Sequence, residues 1–123
     1  MSGDKILLIE DNALNRELAT DALEMANYVV IQATNAEEGI VLARTERPAL
    51  VLIDIALPGM DGLSAMRLLK QTETTKHIPV VALTAYAMRG DAEKALAAGC
   101  DGYLTKPIDV ETFPKEVARF IRA

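Results

Sequence analysis

Leu50-Val51-Leu52-Ile53-Asp54-Ile55-Ala56-Leu57-Pro58-Gly59-Met60-Asp61-Gly62 is an apolar run that ends on an acid and then breaks into a turn. A short, continuous run of branched aliphatic residues reads as a strand buried on both faces, as strands of parallel sheets are. Pro58 and Gly59 suit the two middle positions of a type II turn. Asp61 can cap the helix that follows, in which Leu63, Met66 and Leu69 recur at helical spacing. Strand, turn and helix in this order form part of a βαβ unit, and Asp54 stands at the strand's carboxyl end.

The same grammar extends in both directions. Upstream, Lys5–Ile9 reads as a buried strand closed by Glu10 and Asp11. Leu14, Leu18, Ala22 and Met25 recur at intervals that predict an amphipathic helix over Leu14–Ala26, with Asn27 in the left-handed position that ends it. Tyr28–Ala33 is rich in β-branched and aromatic residues and reads as a strand. Ala36, Ile40 and Ala43 mark a second helix, capped by Asn35 and stopped at Pro48. Downstream, Pro79–Thr84 and Gly102–Thr105 read as strands, and Met88–Ala98 as a helix ending at Gly99. The last helix is expected to bury Phe113, Val117, Phe120 and Ile121. Pro114 favours a start at Thr112 over one at Asp109, because it then falls at the second helical position and costs no interior hydrogen bond. Strands alternating with helices imply a parallel sheet with helices on both faces. The expected fold class is α/β: one doubly wound, five-stranded parallel sheet, flavodoxin-like, with strand order 2-1-3-4-5. In that order the first and third strands are neighbours, and the chain reverses direction between them.

Ligands of such sheets bind beyond the carboxyl ends of the strands, at the reversal. Glu10 and Asp11 lie on one side of it and Asp54 on the other, with Thr84 and Lys106 ending the next two strands. Neighbouring strands are about 4.8 Å apart, so these acids would face each other across a gap a metal ion can bridge. Unpaired, they would repel, and at least one pKa should rise. An all-oxygen donor set suits a hard ion such as magnesium, or manganese in its place, and the absence of a cysteine or histidine cluster argues against zinc. Asp54, at the end of a central strand before an opening turn, is the candidate nucleophile for phosphorus, forming an acyl phosphate. Lys106 and Thr84 are placed to contact phosphoryl oxygens. Each residue alone also has a structural reading: Glu10 and Asp11 as helix caps, Asp54 and Thr84 as strand ends, Lys106 as a turn lysine.

At 123 residues the chain is long enough for one ordinary domain with a core. Its net charge is −5 and its basic residues are scattered, which argues against direct nucleic-acid binding. No apolar run reaches the roughly 20 residues of a membrane helix. The N-terminus lacks the layout of a signal peptide, so a cytoplasmic location with no membrane contact is expected. The single cysteine, Cys100, cannot form an internal disulfide and reads as a small buried apolar residue. His77 reads as a surface residue.

Four stretches together resemble the receiver domains of two-component response regulators. They are Ile9-Glu10-Asp11-Asn12; Ile53-Asp54 with Leu57-Pro58-Gly59-Met60-Asp61-Gly62; Pro79-Val80-Val81-Ala82-Leu83-Thr84-Ala85; and Gly102-Tyr103-Leu104-Thr105-Lys106-Pro107. The resemblance covers nearly the whole chain. It implies that Asp54 accepts a phosphoryl group from a histidine kinase or a histidine phosphotransfer protein in a phosphorelay. Glu10, Asp11, Asp54 and the backbone carbonyl of Ala56 would hold magnesium. Thr84, the amide of Ala85 and Lys106 would bind the phosphoryl group. Tyr103 matches the aromatic switch residue, whose inward turn after Thr84 moves would remodel the face of the fourth helix, fifth strand and fifth helix toward a downstream protein target. Pro107 matches a cis peptide position. The protein would be a phosphoacceptor switch rather than an enzyme. Thr84–Asp91, with Gly99-Cys100, is similar to stand-alone regulators of the DivK type, and residues 1–123 are expected to form a single receiver domain with no output domain. Alternatives are a receiver excised from a larger regulator or hybrid kinase, and a phosphorylation-independent scaffold.

Overall fold

The structure is a computed structural model and describes residues 3–55, 62–84, 90–106 and 108–121. Strands and helices alternate in the order β1 (Lys5–Ile9), α1 (Ala13–Met25), β2 (Val29–Ala33), α2 (Ala36–Glu46), β3 (Leu50–Asp54), α3 (Gly62–Gln71), β4 (Val80–Thr84), α4 (Asp91–Ala97), β5 (Gly102–Thr105) and α5 (Phe113–Ala118). The strands form one parallel sheet in the order β2-β1-β3-β4-β5, as the sequence predicts. Every residue of β3 and β4 is buried, which is why those runs are continuously apolar.

The alternation of side chains along the strands divides the core in two. Leu7, Ile9, Val51, Ile53, Val80 and Ala82 face α2, α3 and α4, meeting Ile40, Met66 and Ala95. Ile6, Leu8, Leu50, Leu52, Val81 and Leu83 face α1 and α5, meeting Leu23, Phe113 and Val117. Each fully buried Leu or Ile contributes about 1.5–3 kcal/mol, so this two-sided sandwich fixes the strand order firmly. The register then sets the site: Ile9 lies opposite Ile53, Asp54 opposite Leu83, and Thr84 opposite Thr105.

Several local expectations hold. Asn27 has φ 72°, in the left-handed region that ends α1. The Asn35 side chain accepts from the Glu38 amide at 2.8 Å and caps α2. Thr112 is the N-cap of α5, so Pro114 falls within the first turn.

Others need correction. The buried stripe of α1 is Ala19, Thr20, Ala22 and Leu23, while Leu14, Leu18 and Met25 are exposed. The small side chains let the helix approach the sheet closely, and the larger residues are turned outward. The Asn12 side chain, accepting from the Asn15 amide at 2.9 Å, caps α1, so neither Glu10 nor Asp11 serves as its cap. Gly90, at φ 84°, is the N-cap of α4, which runs Asp91–Ala97 among the described residues. Helix α5 ends at Ala118; Phe120 and Ile121 follow it, half-buried. The turn at Leu57–Met60, the Asp61 cap, Met88, Ala56, Ala85 and Pro107 lie outside the described residues.

Candidate functional site

Five of the sequence-predicted residues meet at the carboxyl edge of the sheet. Glu10 and Asp11 follow β1, Asp54 ends β3, Thr84 ends β4 and Lys106 follows β5. The backbone holds each in place. The Glu10 amide donates to Ala33 O at 3.0 Å, and the Ile55 amide donates to Leu83 O at 3.1 Å. The Lys106 amide donates to Thr84 O at 2.8 Å, which carries the ladder one residue past β5. Glycine at 62 lets the start of α3 close on the end of β3. A Cβ there would overlap Asp54 O and lie 2.8 Å from Ile55 Cα.

Carboxylate oxygens of Glu10, Asp11 and Asp54 all lie within 4.8 Å of one another. Glu10 and Asp54 are buried, and Asp11 is exposed and opens the cluster to solvent. The Lys106 ammonium bridges the two buried acids, 2.9 Å from Asp54 Oδ2 and 2.9 Å from Glu10 Oε1. It donates a hydrogen bond to Asp54. Its contact with Glu10 is close in distance but not aligned as a hydrogen bond, so Glu10 Oε1 is buried without an aligned donor. The other oxygen, Oε2, accepts from the Asn12 amide at 3.1 Å.

The electrostatics follow from this geometry. Burial pushes the Glu10 carboxyl above its ordinary range; Lys106 opposes the rise and Asp54 adds to it. Burial alone would lower the Lys106 ammonium, but the two carboxylates beside it, Glu10 and Asp54, outweigh burial and raise it. The sequence expectation that one acid would be raised therefore falls on Glu10. A divalent cation fits this donor set. The ligands are hard oxygens converging within 4.8 Å, and one buried oxygen lacks an aligned donor.

Thr84 is buried and Tyr103 is 40% exposed, two residues before Thr105, which lies opposite Thr84. Cys100 is buried, as expected, and burial raises its thiol pKa. His77 is exposed, away from this edge. Sequence reasoning missed Arg16, whose Nη1 donates to Glu10 O at 3.0 Å and to Asp11 O at 3.3 Å. Its position, one turn into α1 behind the acidic pair, was the available signal. Among the described residues, no helix is long and apolar enough to cross a membrane.

The chain matches the family model described as "Response regulator receiver domain" over residues 6–118. It is 40% identical over 116 residues to the polar-differentiation response regulator DivK of Brucella anthropi, covering 94% of each chain. Among solved structures, it matches the receiver domain of sensor histidine kinase PA1611 from Pseudomonas aeruginosa, in which a magnesium ion is coordinated in the active-site cleft. That match has a TM-score of 0.89 and 34% identity, and covers 97% of this chain and 98% of that one. The chemotaxis response regulator CheY4 of Vibrio cholerae matches with a TM-score of 0.90 and 25% identity, over 98% of this chain and 100% of that one. With its sheet order, its acidic cluster and a match spanning almost all of its length, the chain belongs to the response regulator receiver domain family.

Proposed function

We propose that Asp54 accepts a phosphoryl group, with Glu10, Asp11 and Asp54 holding magnesium or manganese and Lys106 and Thr84 contacting the transferred group. The observation that carries this reading is the convergence of three carboxylates within 4.8 Å, with the Lys106 ammonium 2.9 Å from Asp54. The magnesium-coordinating cleft of the PA1611 receiver and the manganese-bound form of response regulator Rcp1 support the choice of ion.

When bound, the divalent ion would screen the acids from one another and polarise the phosphoryl oxygens. The chain's residues supply the rest. An Asp54 oxygen bonds to phosphorus while the bond from phosphorus to the donor breaks, and the donor atom leaves with that electron pair. Lys106, already beside Asp54, needs only to move from the carboxylate to a phosphoryl oxygen. Thr84, at the end of the neighbouring strand, offers its hydroxyl to another. The family resemblance adds the Ala56 carbonyl to the metal and the Ala85 amide to the phosphoryl group.

The donor would be a histidine kinase or histidine phosphotransfer protein. Output would run through Tyr103: Thr84 moves toward the new charge, the tyrosine turns inward from its exposed position, and the surface of α4, β5 and α5 changes for a downstream protein. A phosphoryl group adds about −1.5 to −2 charges, enough to bias such a switch. The chain would thus act as a cytoplasmic phosphoacceptor and not turn over a free substrate, with residues 1–123 forming one receiver domain. Incubation with a small phosphodonor and magnesium, followed by intact mass, tests the chemistry. One added phosphoryl group is expected in the wild type and none in Asp54→Ala. Persistence of the adduct in Asp54→Ala would move the acceptor elsewhere.

A further inference from the structure

Between β1 and α1 the chain must place two consecutive acids in one small volume. Consecutive side chains leave an extended backbone on opposite faces, so the Glu10-Asp11 turn has to depart from the strand path to bring both carboxylates to Asp54. Backbone amides hold one side of that turn: the Glu10 amide is tied to Ala33 O and the Asn12 amide to Glu10 Oε2. The carbonyls of Glu10 and Asp11 are held by a side chain from further along, the half-buried Arg16. Its Nη1 donates to Glu10 O at 3.0 Å and to Asp11 O at 3.3 Å, while its own amide donates to Asn12 O at 2.9 Å as α1 begins.

We infer that Arg16 is a positioning residue for the divalent-cation site, its guanidinium pinning the Glu10 and Asp11 carbonyls so that both carboxylates stay directed at the ion. The inference rests on the magnesium site proposed above. Arg16 touches neither Asp54 nor a carboxylate oxygen in these contacts; it acts through the backbone of two ligands. A guanidinium suits the task, because it keeps its charge and makes charge-assisted bonds to two acceptors at once.

Two effects of Arg16 on the ion have opposite signs, and this makes the inference testable. As a nearby cation, Arg16 repels a second cation, so removing it would tighten magnesium binding. As a clamp on two ligands, it preorganises the site, so removing it would weaken binding. Partners that orient metal ligands typically change affinity by about 10–100-fold when removed. The clamp here acts on carbonyls rather than on the carboxylates, and the lower end is expected.

Calorimetric titration of the folded full chain with magnesium alone separates the two effects. Arg16→Met should bind about tenfold more weakly than wild type, and Arg16→Lys, which can reach a carbonyl with one ammonium, should fall between them. Magnesium affinity in Arg16→Met equal to or tighter than wild type would overturn the inference. If Arg16→Met does not fold, Arg16→Gln carries the same comparison, with weaker binding expected and equal or tighter binding overturning it. A wild-type chain that takes up no magnesium would overturn both the site and the clamp, and is thereby distinguished from a failure of the clamp alone.

Discussion

Lys106 Nζ lies 2.9 Å from Asp54 Oδ2, although the two residues belong to strand ends separated by β4. The ammonium thus spans a neighbouring strand to sit between Asp54 and Glu10. It takes the role of counter-ion there, and a dication binding the same acids must share or displace it.

Replacing this lysine should therefore have opposite effects on metal and on stability. In chelator, Lys106→Met should lose about 3 kcal/mol, because two buried carboxylates lose their cation. Its magnesium affinity should rise, since the competing charge is gone, while phosphoryl transfer should fall sharply. Urea melts and calorimetry on one preparation would check both. Weaker magnesium binding in the variant would mean that the ammonium does not compete.

Magnesium should stabilise the wild type far more than Asp54→Asn. An ion that binds only the folded form at about 100 times its dissociation constant adds about 2.7 kcal/mol. Paired urea melts, with chelator and with magnesium, would measure this increment in each protein. Equal increments would exclude Asp54 from the metal site.

The raised pKa of Glu10 sets a pH dependence in the metal-free protein. The unfolded chain releases this proton near the ordinary value of 4.5, and the folded chain holds it to higher pH. Between those two values the folded form carries the extra proton. This contribution to stability is therefore fully present below 4.5 and is lost as pH rises through the folded value. Urea midpoints taken in chelator across that range should fall less in Glu10→Gln than in wild type. Parallel curves would show that the buried carboxyl titrates normally.

The step from β3 to α3 depends on a missing side chain. Gly62→Ala would press a methyl group against Asp54 O and the Ile55 backbone. Overpacking of this kind costs about 1–3 kcal/mol. Because the clash lies on the backbone of Asp54, phosphorylation should slow as well. Thermal melts and phosphodonor time courses would measure the two effects, and wild-type values in both would show that the strand end can shift freely.

Much of this was legible in the chain because it depends on hydrophobic runs and what ends them. The buried strands β1, β3 and β4 are too apolar to be mistaken, and the residues that close them, Glu10 after β1, Asp54 and Thr84, fell at one edge once the order was known. The face of α1 was misread because Leu14, Leu18 and Met25 form a regular helical stripe. The stripe that packs is made of Ala19, Ala22 and Leu23, and only packing distance favours alanine there. The cap at Asn12 was missed because three polar residues in a row each could have served. Arg16 was legible only by its position one turn into α1. Its two bonds go to backbone carbonyls, which have no signature in side-chain pattern.

On phosphorylation the carboxylate of Asp54 should become an acyl phosphate. Borohydride reduction after exposure to phosphodonor and magnesium converts an acyl phosphate to an alcohol, and peptide mass spectrometry locates the change. Homoserine is expected at position 54 only. Reduction at Glu10 or Asp11, or at no position, would contradict it.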